Sequence, residues 1–249
     1  MFTLFETDTH RNLFVDDLST GHMIQANQHV IINNGEAIVL DPGGHRVYTT
    51  LFSILSAKMK MTGLKHIFFS HQDPDIIAAA NGWLMMTDAS AYLSALWMRF
   101  IPHFGVDELV VERIRPIPDA GMTLQLGSAE LKIIPAHYLH SAGNFHLYDP
   151  VSKILYTGDL GASLETDYSM VEDFDAHVAS MEGFHKRYMA NSRAVRTWVN
   201  TVRQLDIEMI APQHGAMFPN RELSQKFISW IAGLTCGTDL LPERYDIPA

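Results

Sequence analysis

Short apolar runs that stop at turn residues recur along this chain. Val30-Ile31-Ile32 and Ala37-Ile38-Val39-Leu40 flank Asn33-Asn34-Gly35, which predicts a β-hairpin, and the second run halts at Asp41-Pro42-Gly43-Gly44. Residues 46–61 place Val47, Leu51, Ile54, Leu55 and Met59 on one helical face. A strand is predicted over 66–70. It runs into His71-Gln72-Asp73-Pro74-Asp75, where proline ends strand pairing and opens a helix over 76–87. Further strands are predicted at 122–126 and 130–134, and at 144–148 and 153–157. Helices follow at 174–189 and 191–205, then a strand at 208–211 that stops at Pro212-Gln213-His214-Gly215, and a last helix at 221–234. Strands followed by helices, twice over, predict an α+β fold in which two sheets pack face to face with helices outside. No internal repeat or Gly/Ser/Pro-rich linker breaks the pattern, so residues 1–249 read as one domain.

Composition narrows the function classes. With 47% hydrophobic and 18% charged residues the chain is an ordinary globular protein, not a disordered or collagen-like one. No apolar run is long enough to span a membrane, and the N-terminus has no secretory signal pattern. The single cysteine, Cys236, fits a reducing compartment, and a cytoplasmic location is expected. A net charge of −10 argues against nucleic acid or an anionic membrane surface as partner. Histidine stands out at 13 residues against 18 Lys and Arg together, and histidine is the commonest metal ligand.

Four apolar strands end in His or Asp followed by turn residues: at His71, at His140, at Asp159 in Thr157-Gly158-Asp159, and at His214. Rigid strand ends can gather such groups on one rim. His71, Asp73 and Asp75 occupy alternate positions and so share one side of an extended segment. One imidazole with two carboxylates is a nitrogen–oxygen donor set that suits iron, manganese or zinc. A capping turn before the helix is the plainer reading of Asp73-Pro74-Asp75. His137, His146 and Asp41 read as supporting or structural residues, and Met85-Met86 as packing. Tyr138, Tyr168 and Trp97 read as core aromatics or as the lining of a pocket at the site.

As a set, His71-x-Asp73-x-Asp75, His140, Asp159 and His214, spaced by 69, 19 and 55 residues after the first motif, resemble the metal ligands of the metallo-β-lactamase fold. That resemblance implies an αββα sandwich. Hydrolases of this superfamily carry His-x-His-x-Asp-His, whereas this chain has Asp73 and Ile76 at the second and final His positions. Both departures resemble the flavodiiron branch, as do the stretches 139–145, 148–155 and 205–212. The chain stops at Ala249 and has no Gly-rich phosphate loop, so no flavodoxin domain and no FMN are expected. The chain therefore looks most like the flavin-less oxygen-binding diiron proteins.

The resemblance implies two iron ions, the first held by His71, Asp73 and His140, the second by Asp75 and His214, with Asp159 bridging. It implies O2 as ligand, a sensor or carrier role, a redox or signalling protein as partner, and a homodimer. Whether the protein turns over is left open; if it does, it is an oxidoreductase. The alternatives are an O2 or NO reductase fed by a separate flavoprotein or rubredoxin, and a metallohydrolase.

Overall fold

Strands buried on both faces carry the fold. In β4, Ala37 and Val39 face one apolar cluster while Ile38 and Leu40 face another, and both sets are shielded from water. Such strands need helices on one side and a second sheet on the other. The computed structural model, which describes residues 1–248, has that arrangement. The first sheet has seven strands in sequential spatial order: β1 (Phe2–Glu6), β2 (His10–Val15), β3 (Gln28–Asn33), β4 (Glu36–Leu40), β5 (Leu64–Phe68), β6 (Ser90–Ser94) and β7 (Ile114–Ile117). Helices α1 (His45–Ser56), α2 (Pro74–Ile77) and α3 (Ala80–Met86) belong to this half. The second sheet runs β12-β11-β10-β9-β8, built from β8 (Met122–Leu126), β9 (Ala129–Pro135), β10 (Phe145–Asp149), β11 (Ile154–Tyr156) and β12 (Met209–Ala211). Its helices are α4 (Phe174–Tyr188), α5 (Ser192–Val202) and α6 (Arg221–Ala232).

Three apolar layers hold these parts together. The middle one lies between the sheets and includes Phe14, Ile38, Phe68, Leu131, Phe145 and Leu147. Trp83 and Leu51 anchor the layer under the first helices, and Trp198 and Phe227 the layer under the last. The result is an α+β, metallo-β-lactamase-like αββα sandwich.

The pattern of apolar residues missed four strands for distinct reasons. β1 is an edge strand with no buried residue. β2 opens on buried polar side chains, His10 and Asn12. β6 is rich in Ser and Ala, and β7 contains Pro116. The helix predicted over 76–87 is broken at Ala78–Ala79 into α2 and α3. Met85 and Met86 point into solvent, so they are not packing residues.

Topology sets where the ligand-type residues meet. β4 and β5 are parallel, so Asp41 and the segment 69–73 leave the first sheet at one edge. β11 and β12 are parallel, and β9 and β11 both lie antiparallel to β10, so the loops carrying His140, Asp159 and His214 leave the second sheet together. A hydrogen bond from Phe145 N–H to the Ser70 carbonyl, 2.9 Å, joins the two sheets at this rim.

Candidate metal centre

Each candidate donor reaches the rim for a local reason. Asp73 sits at the N-cap position of α2 in extended conformation, yet its side chain makes no capping bond. The helix start therefore positions the residue while leaving the carboxylate free. Asp75 lies in the first turn of the same helix, beside Ile76, which is fully buried in the first half's core and offers no donor. Gly158 adopts φ +50, and a Cβ there would lie 2.9 Å from Ser70 Oγ, so only glycine lets the Asp159 loop approach the His71 loop. Gly215, φ +77, follows His214, and a Cβ there would lie 2.3 Å from the Ser163 carbonyl oxygen.

The other five candidate side chains gather around Asp159. Its Oδ2 lies 2.8 Å from His140 Nε2, and its Oδ1 lies 3.4 Å from His214 Nε2 and 3.8 Å from His71 Nε2. Asp73 Oδ2 is 3.6 Å from His71 Nε2 and 3.5 Å from His140 Nε2. Asp75 Oδ2 is 3.3 Å from His214 Nε2. One ligand atom each from His71, Asp73, His140 and Asp159 falls within 4.8 Å of all the others, a grouping able to hold a metal ion. Asp75 and His214 adjoin that grouping on the Oδ1 side of Asp159.

The far sides of the rings are fixed. His214 Nδ1 meets the Gln25 carbonyl at 2.5 Å, which makes Nδ1 the protonated nitrogen and turns the Nε2 lone pair inward. His71 Nδ1 meets Ser70 Oγ at 2.9 Å. Asp41, at the end of β4, accepts the Ser70 backbone N–H at 2.7 Å and so holds the His71 loop. Gln72 links two loops: Ser141 Oγ donates to its Oε1 at 2.6 Å, and its Nε2 donates to Asp73 Oδ1 at 2.9 Å. That bond occupies one oxygen of Asp73 and leaves Oδ2 facing the histidines. Phe184 and Tyr188 of α4 stack on each other, and their rings lie edge-on to His140.

Electrostatics fit a cation-binding pocket. Burial works to raise the Asp159 carboxyl, but His71 and His214 outweigh it and hold it well below the usual carboxylate range. Burial works to lower His214 and His71, but the surrounding carboxylates together outweigh it, Asp159 first, with Asp73 and Asp41 at His71 and Asp75 at His214, and hold both above the ordinary imidazole value. The His71 ring holds Asp73 low against its own burial. Burial pushes Asp41 up to about 6, opposed by the Ser70 N–H it accepts. In the metal-free rim, protons on histidine balance the carboxylates. A metal ion would replace those protons.

The donors present fit iron. His71 Nε2 and Asp159 Oδ1 are buried, face each other, and have no hydrogen-bond partner. Buried polar atoms without partners are costly, and both are of a type that can ligate a metal ion. Three imidazoles with three carboxylates form a nitrogen–oxygen set suited to iron.

Residues 24–215 match the family described as ODP family beta lactamase. The chain belongs to the ODP family. A solved structure of the chemotaxis sensor ODP as a peroxy diiron species is 41% identical to it, with a TM-score of 0.87, covering 96% of this chain and 97% of that one. The apo state of that sensor from T. denticola is 40% identical, covers 96% of each chain and has a TM-score of 0.87. Rubredoxin oxygen:oxidoreductase from Desulfovibrio gigas shares the fold, at 12% identity and a TM-score of 0.78, over 93% of this chain and 61% of its own. An uncharacterized protein of Methanocaldococcus jannaschii is 28% identical over 126 residues, 48% of this chain. That match spans only 32% of the curated relative.

Within this ODP-family chain, all six sequence-selected residues, His71, Asp73, Asp75, His140, Asp159 and His214, meet at one rim. The histidines set aside stay out of it. His137 is tied to the Asp119 carbonyl at 2.9 Å, and His146 is buried and accepts from Trp198 Nε1 at 2.9 Å. Tyr138 and Tyr168 are exposed rather than core aromatics. Gln25, Gln72, Ser141, Phe184 and Tyr188 escaped the sequence reading, since each reaches the site across a long stretch of chain or through an unremarkable residue type. Only adjacency to a candidate ligand, of Ser70 and Gln72 to His71 and of Ser141 to His140, carried a local signal.

Proposed function

We propose that this chain binds O2 at a pair of iron ions and acts as an oxygen sensor or carrier. One observation carries the reading: Asp159 turns one oxygen to His140 and the other to His214 and His71, amid three carboxylates and three imidazoles. It occurs in a family whose chemotaxis-sensor member has been captured as a peroxy diiron species. His71, Asp73 and His140 would hold one iron, Asp75 and His214 the other, with Asp159 between them. When bound, a di-ferrous pair supplies the electrons needed to hold O2 reversibly.

The chain's own residues do the rest. Gln72 aims Asp73 Oδ2 inward, the Gln25 carbonyl aims His214 Nε2 inward, and Phe184 with Tyr188 shields the flank of His140. With Ile76 buried and offering no donor, the Asp75–His214 side has fewer protein donors, so a metal held there would keep a position open for the gas. The same proposal takes residues 1–249 as one working unit that needs no FMN and resides in the cytoplasm. Among the described residues no helix is long and apolar enough to cross a membrane. The reductase reading rests on shared fold alone.

The test is an optical spectrum and iron assay of purified protein, reduced without air, then given O2, then stripped with argon. The expected result is two irons per chain, no flavin absorbance, and a visible band that appears with O2 and fades on stripping. Immediate, irreversible oxidation with no such band would transfer the reading to a partner-fed reductase. Protein that takes up no iron would put the hydrolase in first place.

A further inference from the structure

Charge is distributed unevenly in this acidic chain. Residues 183–205 hold Lys186, Arg187, Arg193, Arg196 and Arg203 and no Asp or Glu, although the whole chain carries −10. All five cations are exposed. On α5, Val195, Trp198, Val199 and Val202 are buried, while Arg193, Arg196, Asn200 and Arg203 share the outward face.

Two apolar clefts flank this strip. One, about 420 Å³, lies between the end of β9 and α5 and is lined by Ala136, Tyr138, Arg193, Ala194 and Trp198. The other, about 410 Å³, is lined by Lys186, Arg187, Tyr188, Leu240 and Leu241. They adjoin through the hydrogen bond from Ala190 N–H to the Tyr138 carbonyl, 3.1 Å. Tyr138 and Tyr188 are 56% and 54% exposed, and Leu240 and Leu241 stand out beside them. The nearby acidic groups are already engaged, since Asp239 accepts the Ser192 N–H and Glu182 pairs with Lys186. Exposed tyrosine, arginine and leucine around shallow apolar clefts is the composition of a protein-docking surface.

We propose that this face docks an acidic segment of another protein that also carries apolar side chains, and that the state of the metal centre is read there. Charge selects the partner: an acidic segment is attracted here and repelled by the rest of the surface. Position selects the readout. Tyr188 packs on His140, Tyr138 lies two residues before it, and Trp198 at the floor of the first cleft donates to His146. His146 in turn meets Asn144, which donates to the carbonyl of Leu139 next to His140. The docking half stands without the di-iron reading; the readout half rests on it.

The test uses the iron-loaded protein and a fluorescein-labelled synthetic peptide alternating Glu with Leu and Phe, read by anisotropy with and without O2. Arg187→Glu and Arg193→Glu together should weaken binding at least about tenfold, added salt should weaken the wild type, and iron content and the O2 band should stay unchanged. Peptide affinity should differ several-fold between the O2-free and O2-treated protein. Several results overturn the docking half. These are no peptide binding, equal binding by the reversed variant, tighter charge-dependent binding of duplex oligonucleotide or anionic vesicles, or a dimer that becomes monomeric in the variant. Equal affinity with and without O2 overturns the readout half. Charge-dependent peptide binding by protein that holds no iron would leave the docking surface standing and remove the di-iron reading instead.

Discussion

His71 and His214 at the rim, and His29, His146 and His185 in the interior, are all nearly sealed from water, yet their proton affinities move in opposite directions. In the interior, burial prevails: His29 and His185 are lowered to about 4 and His146 to about 3. At the rim, converging carboxylates with Asp159 foremost reverse the effect of burial, and both rings are raised. Burial keeps the interior rings neutral, and at His185 the hydrogen bonds agree with that state. His185 Nδ1 donates to the Met181 carbonyl and its Nε2 accepts from Gly161 N–H, so a second ring proton would have nowhere to go. A buried histidine is thus not a ligand by virtue of burial. It becomes ligand-like where carboxylates converge on its free nitrogen.

The largest expected effect comes from removing what makes the two sets differ. Asp159→Asn should leave no iron on the protein after gel filtration, against two per chain for the wild type. In the metal-free variant, His71 and His214 should titrate lower by NMR. Two irons retained by the variant would take Asp159 out of the centre.

Next in size is the acid response. The interior rings have folded values below the unfolded one, so their contribution is present above about pH 6.5 and is lost as pH falls toward 4. At pH 5 each of the three costs about 2 kcal/mol, about 6 together. The raised rim histidines behave oppositely in the metal-free protein: their stabilisation is full below about pH 6.5 and is lost as pH rises through their folded values. Denaturant unfolding at pH 7 and pH 5 reads the interior cost. His29 sharpens it, because its ring lies against Phe14 and Tyr156 and neither nitrogen has a hydrogen-bond partner. His29→Phe should shrink the pH 7-to-5 loss by about 2 kcal/mol. An unchanged loss would show that burial of this ring does not govern its protonation.

The smallest effect concerns aim. Gln72→Ala frees Asp73 Oδ1 and should weaken Fe(II) binding about tenfold, with the protein still folded. A competition titration with a chelator measures it, and wild-type affinity would show that Asp73 needs no guide.

The rim was legible in the chain because apolar runs give way to His or Asp among turn residues, although His140, read as ending a strand, lies in the turn five residues beyond the end of β9. The supports were not. Gln25 reaches His214, and Ser141 reaches Gln72, across gaps that no local pattern spans. β6 escaped because Ser and Ala give weak strand patterning, and α2 and α3 were read as one helix because apolar spacing continues across the break. Net charge misled in a related way, since −10 averages away the basic run over 183–205.

The bond between Phe145 and Ser70 has a counterpart across the rim, where Asn27 Nδ2 donates to the carbonyls of Pro212 and Gly215. Both ties join early and late parts of the chain. During synthesis, His71 and Asp73 emerge long before His214, so iron arriving early meets an incomplete set of donors. A metal held by all six donors would therefore be acquired last, and its presence would certify that the two halves of a newly made chain have closed on each other.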